Sequence, residues 1–422
     1  MLDPLLIATL VFLITYAVII SEKVHKTAVA LAGAIIMILI KIIDQEHAFE
    51  AVDFNVIFLL AGMMMIANIM RKTGIFQWMA IRSAKLAKGD PFRILLLLSL
   101  VTAVASAFLD NVTTVVLLAP VTLFLAGRLD VNPVPFLISE TLASNIGGTA
   151  TLIGDPPNIL IGSAAGLDFI EFIKHLTPIV LLILLVFMPL AWFLFGRDLH
   201  VSPEVRSRIM RLDEREVISD PVLLRKSLIV LGLTVVGFVL HGALGYEPAT
   251  MALAGATALI IWGRQEPQEV LQEVEWTTLF FFVGLFIVVG AVVEVGLISL
   301  VAQKALDLTQ GNLPFTTILL LWMSALLSGI IDNIPYTATM IPLVQELGQH
   351  MPVGPLWWAL ALGACLGGNL TIIAASANVL VSDLAERGGH PITFRAFLAP
   401  GAIVTFVSII LSTVYLWLRY LL

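Results

Sequence analysis

Asn145-Ile146-Gly147-Gly148-Thr149-Ala150-Thr151-Leu152-Ile153-Gly154-Asp155-Pro156-Pro157-Asn158 interrupts a long apolar stretch, and the interruption occurs twice. The second copy is Leu366-Gly367-Gly368-Asn369-Leu370-Thr371-Ile372-Ile373-Ala374-Ala375-Ser376-Ala377-Asn378. A shift of 220 residues lays Gly147-Gly148 on Gly367-Gly368, Thr151 on Thr371 and Asn158 on Asn378. Paired glycines let a backbone leave the helix, and the prolines of the first copy restart it. One Gly-Gly in an apolar helix reads as a packing site. Two at matching places predict a pair of broken helices that form a site.

The symmetry extends outward from there. A shift of 222 residues lays Ala30-Leu31-Ala32-Gly33-Ala34 on Ala252-Leu253-Ala254-Gly255-Ala256, Gly62 on Gly284, and Asp110-Asn111 on Asp332-Asn333. Leu109-Asp110-Asn111-Val112-Thr113-Thr114 and Ile331-Asp332-Asn333-Ile334-Pro335-Tyr336 each sit in the middle of a long apolar run. The apolar arms on either side are about 14 residues, or about 21 Å as helix, short of a ~30 Å bilayer core. That length predicts re-entrant helical hairpins over 94–127 and 316–346, with the polar tips near mid-depth.

Composition agrees with burial in lipid. The chain has 422 residues, of which 59% are hydrophobic and 13% charged, against about 25% charged in soluble proteins. That excludes a soluble enzyme, a disordered chain and a nucleic-acid binder. Apolar spans fall near 5–20, 27–42, 54–70, 134–162, 176–196, 227–242, 249–263, 276–294, 355–381 and 396–418. With the hairpins drawn as re-entrant, 19 of the 23 Lys and Arg lie on one face, leaving Lys41, Lys174, Lys304 and Arg419 on the other. Such an excess marks the cytoplasmic side. The expectation is an all-α polytopic membrane protein with both termini non-cytoplasmic. Residues 1–197 form a first repeat of five spans and one hairpin, 198–226 a cytoplasmic linker, and 227–422 a second, inverted repeat. Segment 71–93, with six basic residues, reads as an amphipathic helix on the inner membrane surface. Trp276, Trp357, Trp358 and Trp417 read as interfacial anchors, and His241 as a solvated residue at a span end.

An acidic residue inside a span is a functional hypothesis by default, because a buried charge is costly. Asp110, Asp155 and Asp332 each have two readings, a cap that holds the local backbone and a carboxylate that carries a proton or ion. Asp155 falls opposite Ala375, so the repeat itself does not call for a carboxylate there. With one cysteine, Cys365, no disulfide or thiolate metal cluster is available. No cofactor and no resident metal are expected.

At these motifs the chain resembles the ion transporter superfamily, which groups arsenite permeases, sodium/proton antiporters and divalent-anion/sodium symporters. The run from Asn145 to Asn158 is most similar to the arsenite-permease and P-protein branch, and the resemblance covers nearly the whole chain. It implies that hairpin tips and broken helices form the substrate and ion sites, and that part of each repeat moves against a scaffold. Carried over by position, Asn111, Thr113 and Asn333 match hairpin Ser-Asn-Thr positions of the anion symporters. Asp110 and Asp332 stand in place of the serines, Pro335 in place of the second threonine, and Asp155 in place of a threonine in Gly-Thr-Pro-Pro. Three carboxylates around one site repel a dianion unless protons or sodium ions neutralise them.

The expected site comprises Asn111, Thr113, Asn145, Gly147, Gly148, Thr149, Asn158, Asn333, Gly367, Gly368, Asn369, Thr371 and Asn378 for substrate, with Asp110, Asp155 and Asp332 for H+ or Na+ coupling. The expected activity is proton-coupled efflux of arsenite or antimonite across the inner (plasma) membrane. The alternatives are Na+/H+ antiport and anion or carboxylate symport. The first and sixth spans are the expected scaffold of a homodimer, and the Arg-rich linker the expected dock of a soluble ATPase.

Overall fold

The computed structural model describes residues 3–21, 23–196, 199 and 201–422, and within them the secondary structure is helical throughout. Arg197, counted with the basic face, lies outside the described residues. The first half contains α1 (Pro4–Ser21), α2 (Lys26–Leu39), α3 (Gln45–Glu50), α4 (Phe54–Arg71), α5 (Ile75–Leu86), α6 (Pro91–Phe108), α7 (Asn111–Leu129), α8 (Val134–Gly148), α9 (Pro156–Ala165), α10 (Phe169–His175) and α11 (Thr177–Phe195). A short α12 (Pro203–Met210) follows in the linker. The second half contains α13 (Pro221–Leu244), α14 (Pro248–Gly263), α15 (Pro267–Gln272), α16 (Trp276–Glu294), α17 (Leu297–Thr309), α18 (Leu313–Ser328), α19 (Asn333–Leu347), α20 (Gly354–Gly367), α21 (Ser376–Arg387) and α22 (Phe394–Leu416). Apart from α10 and α12, every helix of one half has a counterpart in the other.

Helix starts are legible in the chain. Asp53, Asp90, Asp110, Asp220, Asn312 and Asp332 each accept a backbone N–H in the first turn of the helix they precede, as good N-caps do. Proline occupies the first turn of α6, α9, α14 and α20, where its missing N–H costs nothing.

Eight helices among the described residues are long and apolar enough to cross a bilayer. Both arms of the first hairpin, α6 and α7, are among them, at 18 and 19 residues. The arms of the second, α18 and α19, have 16 and 15. These arms are longer than the expected ~14 because capped polar and proline-containing turns extend each helix beyond its apolar run. Their hairpin character comes from the turn. α7 begins two residues after α6 ends at Leu109-Asp110, and α6 then runs alongside α8 in the same direction. Ser99 Oγ meets Ser139 Oγ at 2.7 Å, and Ser144 Oγ donates to Ser106 Oγ at 3.1 Å. Likewise α18 runs with α20, and Ser328 Oγ donates to the Ala364 carbonyl at 3.1 Å. Past its break, each broken helix enters the other half: α9 packs on α19 and α20, and α21 on α7 and α8. The two hairpins therefore reach the centre from opposite ends.

The halves also cross-pair through α4 on α14 and α16 on α2. A Cβ on Gly62 would lie 2.8 Å from the Ala252 backbone, and one on Gly284 2.6 Å from the Ala30 backbone. Those four residues belong to the duplicated matches, so the repeated small residues are the seam between the halves.

Loops sort into two sets. Arg71 pairs with Glu273 at 3.1 Å and Lys72 with Glu269 at 3.5 Å at the end carrying the basic excess. His47 lies 3.6 Å from Glu294, and Gln345 Nε2 donates to the Ala164 carbonyl at 3.2 Å, at the other. The linker is strapped down rather than free. Arg206 pairs with Asp90 at 3.0 Å, and Ser219 N–H donates to the Thr73 carbonyl at 3.1 Å. Glu214 accepts from Lys85 and from Arg82, and the Lys85 bond above all holds its carboxyl down to about 2. Consequently α5 is not simply a membrane-surface helix. Its apolar side packs on α6 and α7, and two of its basic residues face the linker.

Trp276 and Trp417 are exposed as expected of anchors, but Trp357 and Trp358 are buried. Trp358 lies edge-on to Phe172 and stacks on His175 at 4.7 Å. His241 is also buried, its Nδ1 3.0 Å from the Tyr246 carbonyl, because α10 closes over that span end.

Candidate functional site

The two breaks and the two hairpin tips meet at one place. Non-α backbone runs from Thr149 to Asp155 between α8 and α9, and from Gly368 to Ala375 between α20 and α21, where Ile372–Ala374 form one 3-10 turn. Each break is held in the same way. Asn158 Nδ2 donates to the Thr149 and Thr151 carbonyls at 3.1 and 2.8 Å, and Asn378 Nδ2 to the Gly368 and Thr371 carbonyls at 2.7 and 2.8 Å. Thr151 Oγ1 donates to the Ala107 carbonyl at 2.5 Å, and Thr371 Oγ1 to the Gly329 carbonyl at 2.7 Å, tying each break to its own hairpin. Thr149 Oγ1 turns back to the Asn145 carbonyl at 2.7 Å. These side chains satisfy backbone that lipid could not.

The paired glycines sit at the breaks, and one of each pair also packs against a hairpin arm. Gly147, Gly148 and Gly367 end the helices α8 and α20, and Gly368 caps α20 in helical geometry. A Cβ on Gly147 would lie 2.1 Å from the Ala103 carbonyl oxygen, and one on Gly367 2.6 Å from that of Ala325. Gly147 and Gly367 seat the hairpin against the broken helix, whereas Gly148 faces the Gly154 carbonyl of its own break and Gly368 lies nearest Cys365, Ala375 and the Asn333 amide.

Between the breaks lies a layer of buried amides. Asn145 Nδ2 donates to Asn369 Oδ1 at 2.9 Å and to Asn378 Oδ1 at 3.0 Å, which joins the two halves. Asn111 Nδ2 donates to Asn145 Oδ1 and to Asp155 Oδ1, both at 3.2 Å, and Asn333 Nδ2 reaches the same Asp155 oxygen at 3.5 Å. The tips of both hairpins thus grip one carboxylate. Asp155 is completely buried, and although it precedes α9 its side chain makes no capping bond. Its Oδ2 finds no hydrogen-bond donor in good geometry among the described residues, with the Cys365 thiol close by. Cys365 itself is buried and donates to Asn158 Oδ1 at 3.4 Å. It sits opposite Asn145 in the repeat and makes the bond that Asn145 makes to Asn378.

Capping does account for part of what Asp110 and Asp332 do. Asp110 Oδ1 accepts from Thr113 N–H at 2.8 Å and Oδ2 from Thr113 Oγ1 at 2.5 Å. Asp332 Oδ1 accepts from Ile334 N–H at 3.1 Å. Both carboxylates also line a cavity of about 630 Å³ that opens between Val24, His25, Glu275 and Asp383, at the end bearing the basic loops. None of the buried amides lines this cavity. The expected residues form two layers, carboxylates on the wall and amides with Asp155 behind it.

Four residues of this region were not singled out in the sequence. Lys26 Nζ lies 2.7 Å from Asp332 Oδ2 and 2.7 Å from Ser376 Oγ, and Ser376 Oγ reaches the same Asp332 oxygen at 3.1 Å. Glu275 stands at the cavity mouth. Glu140 is buried in α8, where Thr122 Oγ1 donates to it at 2.7 Å. Glu140 alone had a local signal, an acidic residue inside an apolar span. Lys26 and Glu275 sit at span ends, where charge is ordinary, and Ser376 is a neutral residue inside the second broken-helix motif.

Comparison with known proteins agrees with this architecture. The family model described as citrate transporter (CitMHS) matches residues 16–363. A "46 kDa membrane protein" of Mycobacterium leprae is 49% identical over 98% of this chain and 99% of its own length. An "uncharacterized transporter" of Mycobacterium tuberculosis is also 49% identical, over 98% of each chain. The P protein of Homo sapiens is 35% identical over 97% of this chain and 59% of that protein. In the solved structures, the YdaH transporter of Alcanivorax borkumensis superposes with a TM-score of 0.57 at 14% identity, over 99% of this chain and 98% of that one, a likeness of fold. From the family match and these relatives, the chain belongs to the citrate transporter (CitMHS) family of the ion transporter superfamily and is a multi-pass membrane transporter.

Proposed function

We propose that the chain is a proton-coupled secondary transporter of a small neutral solute, with arsenite and antimonite as substrates and efflux as the direction. The observation that carries this reading is Asp155, a buried carboxylate held through one oxygen by an amide from each hairpin, with only the Cys365 thiol near its other oxygen. A charge buried at that depth is costly, and a proton removes the cost. Protonation at one oxygen pair then changes what both hairpins are bonded to, which is how a bound proton biases a two-state protein. The cavity wall supports a neutral solute. Its charged groups are Asp110, Asp332, Glu275 and Asp383 against Lys26, a balance that repels multiply negative ions. A trivalent hydroxide has the donors to bond Asp110 and Asp332, and Asn111, Asn333 and Asn145 behind them.

In this proposal residues 1–197 and 227–422 are inverted repeats joined by the 198–226 linker. The basic face is cytoplasmic in an inner (plasma) membrane, and both termini are on the far side, so the cavity faces inward. The scaffold of a homodimer falls at α1 and α13, and a soluble ATPase would dock on the linker. The acidic cavity also favours a second reading, Na+/H+ antiport on the same carboxylates. A carboxylate symporter has two supporting features, Lys26 on the cavity wall and the citrate transporter description of the matching family.

Uptake into everted membrane vesicles tests these side by side with trivalent arsenic, sodium and succinate, with and without a pH gradient. Arsenite accumulation in acid-interior vesicles is expected. Sodium-driven proton release without arsenite movement moves the assignment to antiport, and accumulation of succinate alone overturns both.

A further inference from the structure

The tip of the second hairpin holds a counter-ion that the first lacks. Lys26, Asp332 and Ser376 form a closed triangle of contacts at 2.7, 2.7 and 3.1 Å, and the Lys26 ammonium also lies 5.1 Å from the centre of the Phe281 ring. The 222- and 220-residue shifts place Pro248, Pro156 and Leu59 at the matching positions around Asp110. None of them carries a charge, and Asp110 has no cation among its bonded partners. The lysine spans 306 positions of sequence to reach its partner, from the start of α2 in the first half to the hairpin of the second.

We propose that Lys26 is a specificity-determining residue that occupies, as a tethered cation, the place at Asp332 that a mobile cation would otherwise take. A carboxylate with an ammonium at 2.7 Å is neutral as a pair, and a proton or sodium ion must displace Lys26 to bind there. The first tip and Asp155 then remain as the place for a mobile coupling ion, and the second tip serves as a fixed, pre-neutralised half. This rests on the reading that hairpin carboxylates carry the coupling ion, and it adds which of them are open to do so.

The test uses purified full-length protein in detergent, with two binding readouts that need no transport. One is radioactive sodium bound at equilibrium, and the other is the infrared band of protonated carboxyl groups. In the wild type, Asp332→Asn is expected to change neither. In Lys26→Gln, one additional equivalent of bound sodium or of protonated carboxyl is expected. It disappears in Lys26→Gln/Asp332→Asn, a double variant that leaves the triangle uncharged and keeps the fold. Lys26→Arg retains the pair and behaves as wild type. The proposal is overturned if wild-type protein already shows an Asp332-dependent signal, or if folded Lys26→Gln gains none. Failure of coupled transport in vesicles bears on the proposed function alone and leaves this binding result standing.

Discussion

The two hairpin tips share a backbone and differ in charge. Each begins its second arm with Asp-Asn, each aspartate caps that arm, and each asparagine points at the Asp155 carboxylate. Around Asp110 the additional partner is the Thr113 hydroxyl, and around Asp332 it is the Lys26 ammonium with Ser376. Asp155 has only Ala375 opposite it. The duplicated residues hold the shape, and the unduplicated ones decide where charge can come and go. A symmetric scaffold thereby acquires one open acidic tip and one closed tip.

That contrast orders the expected effects. Asp110→Asn should abolish pH-driven accumulation in vesicles, and Asp332→Asn should only weaken it, because Asp332 is already neutralised by its lysine. Equal loss in both variants breaks the contrast. Second, Asp332→Asn strands the half-buried Lys26. Its destabilisation should fall between the ~1 kcal/mol of an exposed pair and the ~3 kcal/mol of a buried one, read by thermal unfolding in detergent. Lys26→Gln/Asp332→Asn should recover most of that loss. Third, the shared scaffold should respond alike in both halves. Gly147→Ala and Gly367→Ala each push a methyl into the facing arm, and about 1–3 kcal/mol of overpacking is expected for each. Stability loss in one half only would contradict the duplicated packing of hairpin on broken helix.

The smallest effect concerns the linker. The Glu214 carboxyl, held down to about 2 by Lys85 and Arg82, sits below its unfolded value of about 4.3. Its contribution to linker docking is therefore complete above the unfolded value and lost as pH falls through about 2. Glu214→Gln should raise protease cleavage between 210 and 220 at neutral pH, with transport unchanged.

Much of the fold is legible because it is written twice. Asp110-Asn111 against Asp332-Asn333, and Gly147-Gly148 against Gly367-Gly368, locate hairpins and breaks without any distance information. The amide layer could be named from the same motifs, since Asn111, Asn145, Asn333, Asn369 and Asn378 interrupt apolar runs. What a linear reading misses are contacts made once. Lys26 looks like one more basic residue at a span end, and only the short α2, 14 residues long, brings it inside the cavity mouth. The contacts of Trp358 with Phe172 and His175 come from α10, a helix with no counterpart in the second half. The backbone freedom of the paired glycines is local knowledge, whereas the close approach of Gly147 to α6 and of Gly367 to α18 is not.

In the proposed cycle Asp155, gripped by both hairpins, carries the coupling proton. Arsenite accumulation in everted vesicles with an acid interior tests it most directly, comparing wild type with Asp155→Asn at equal protein level. The wild type should accumulate arsenite against its gradient, and Asp155→Asn should show no accumulation at any imposed pH difference. Wild-type accumulation by Asp155→Asn, still scaling with the pH gradient, would contradict it.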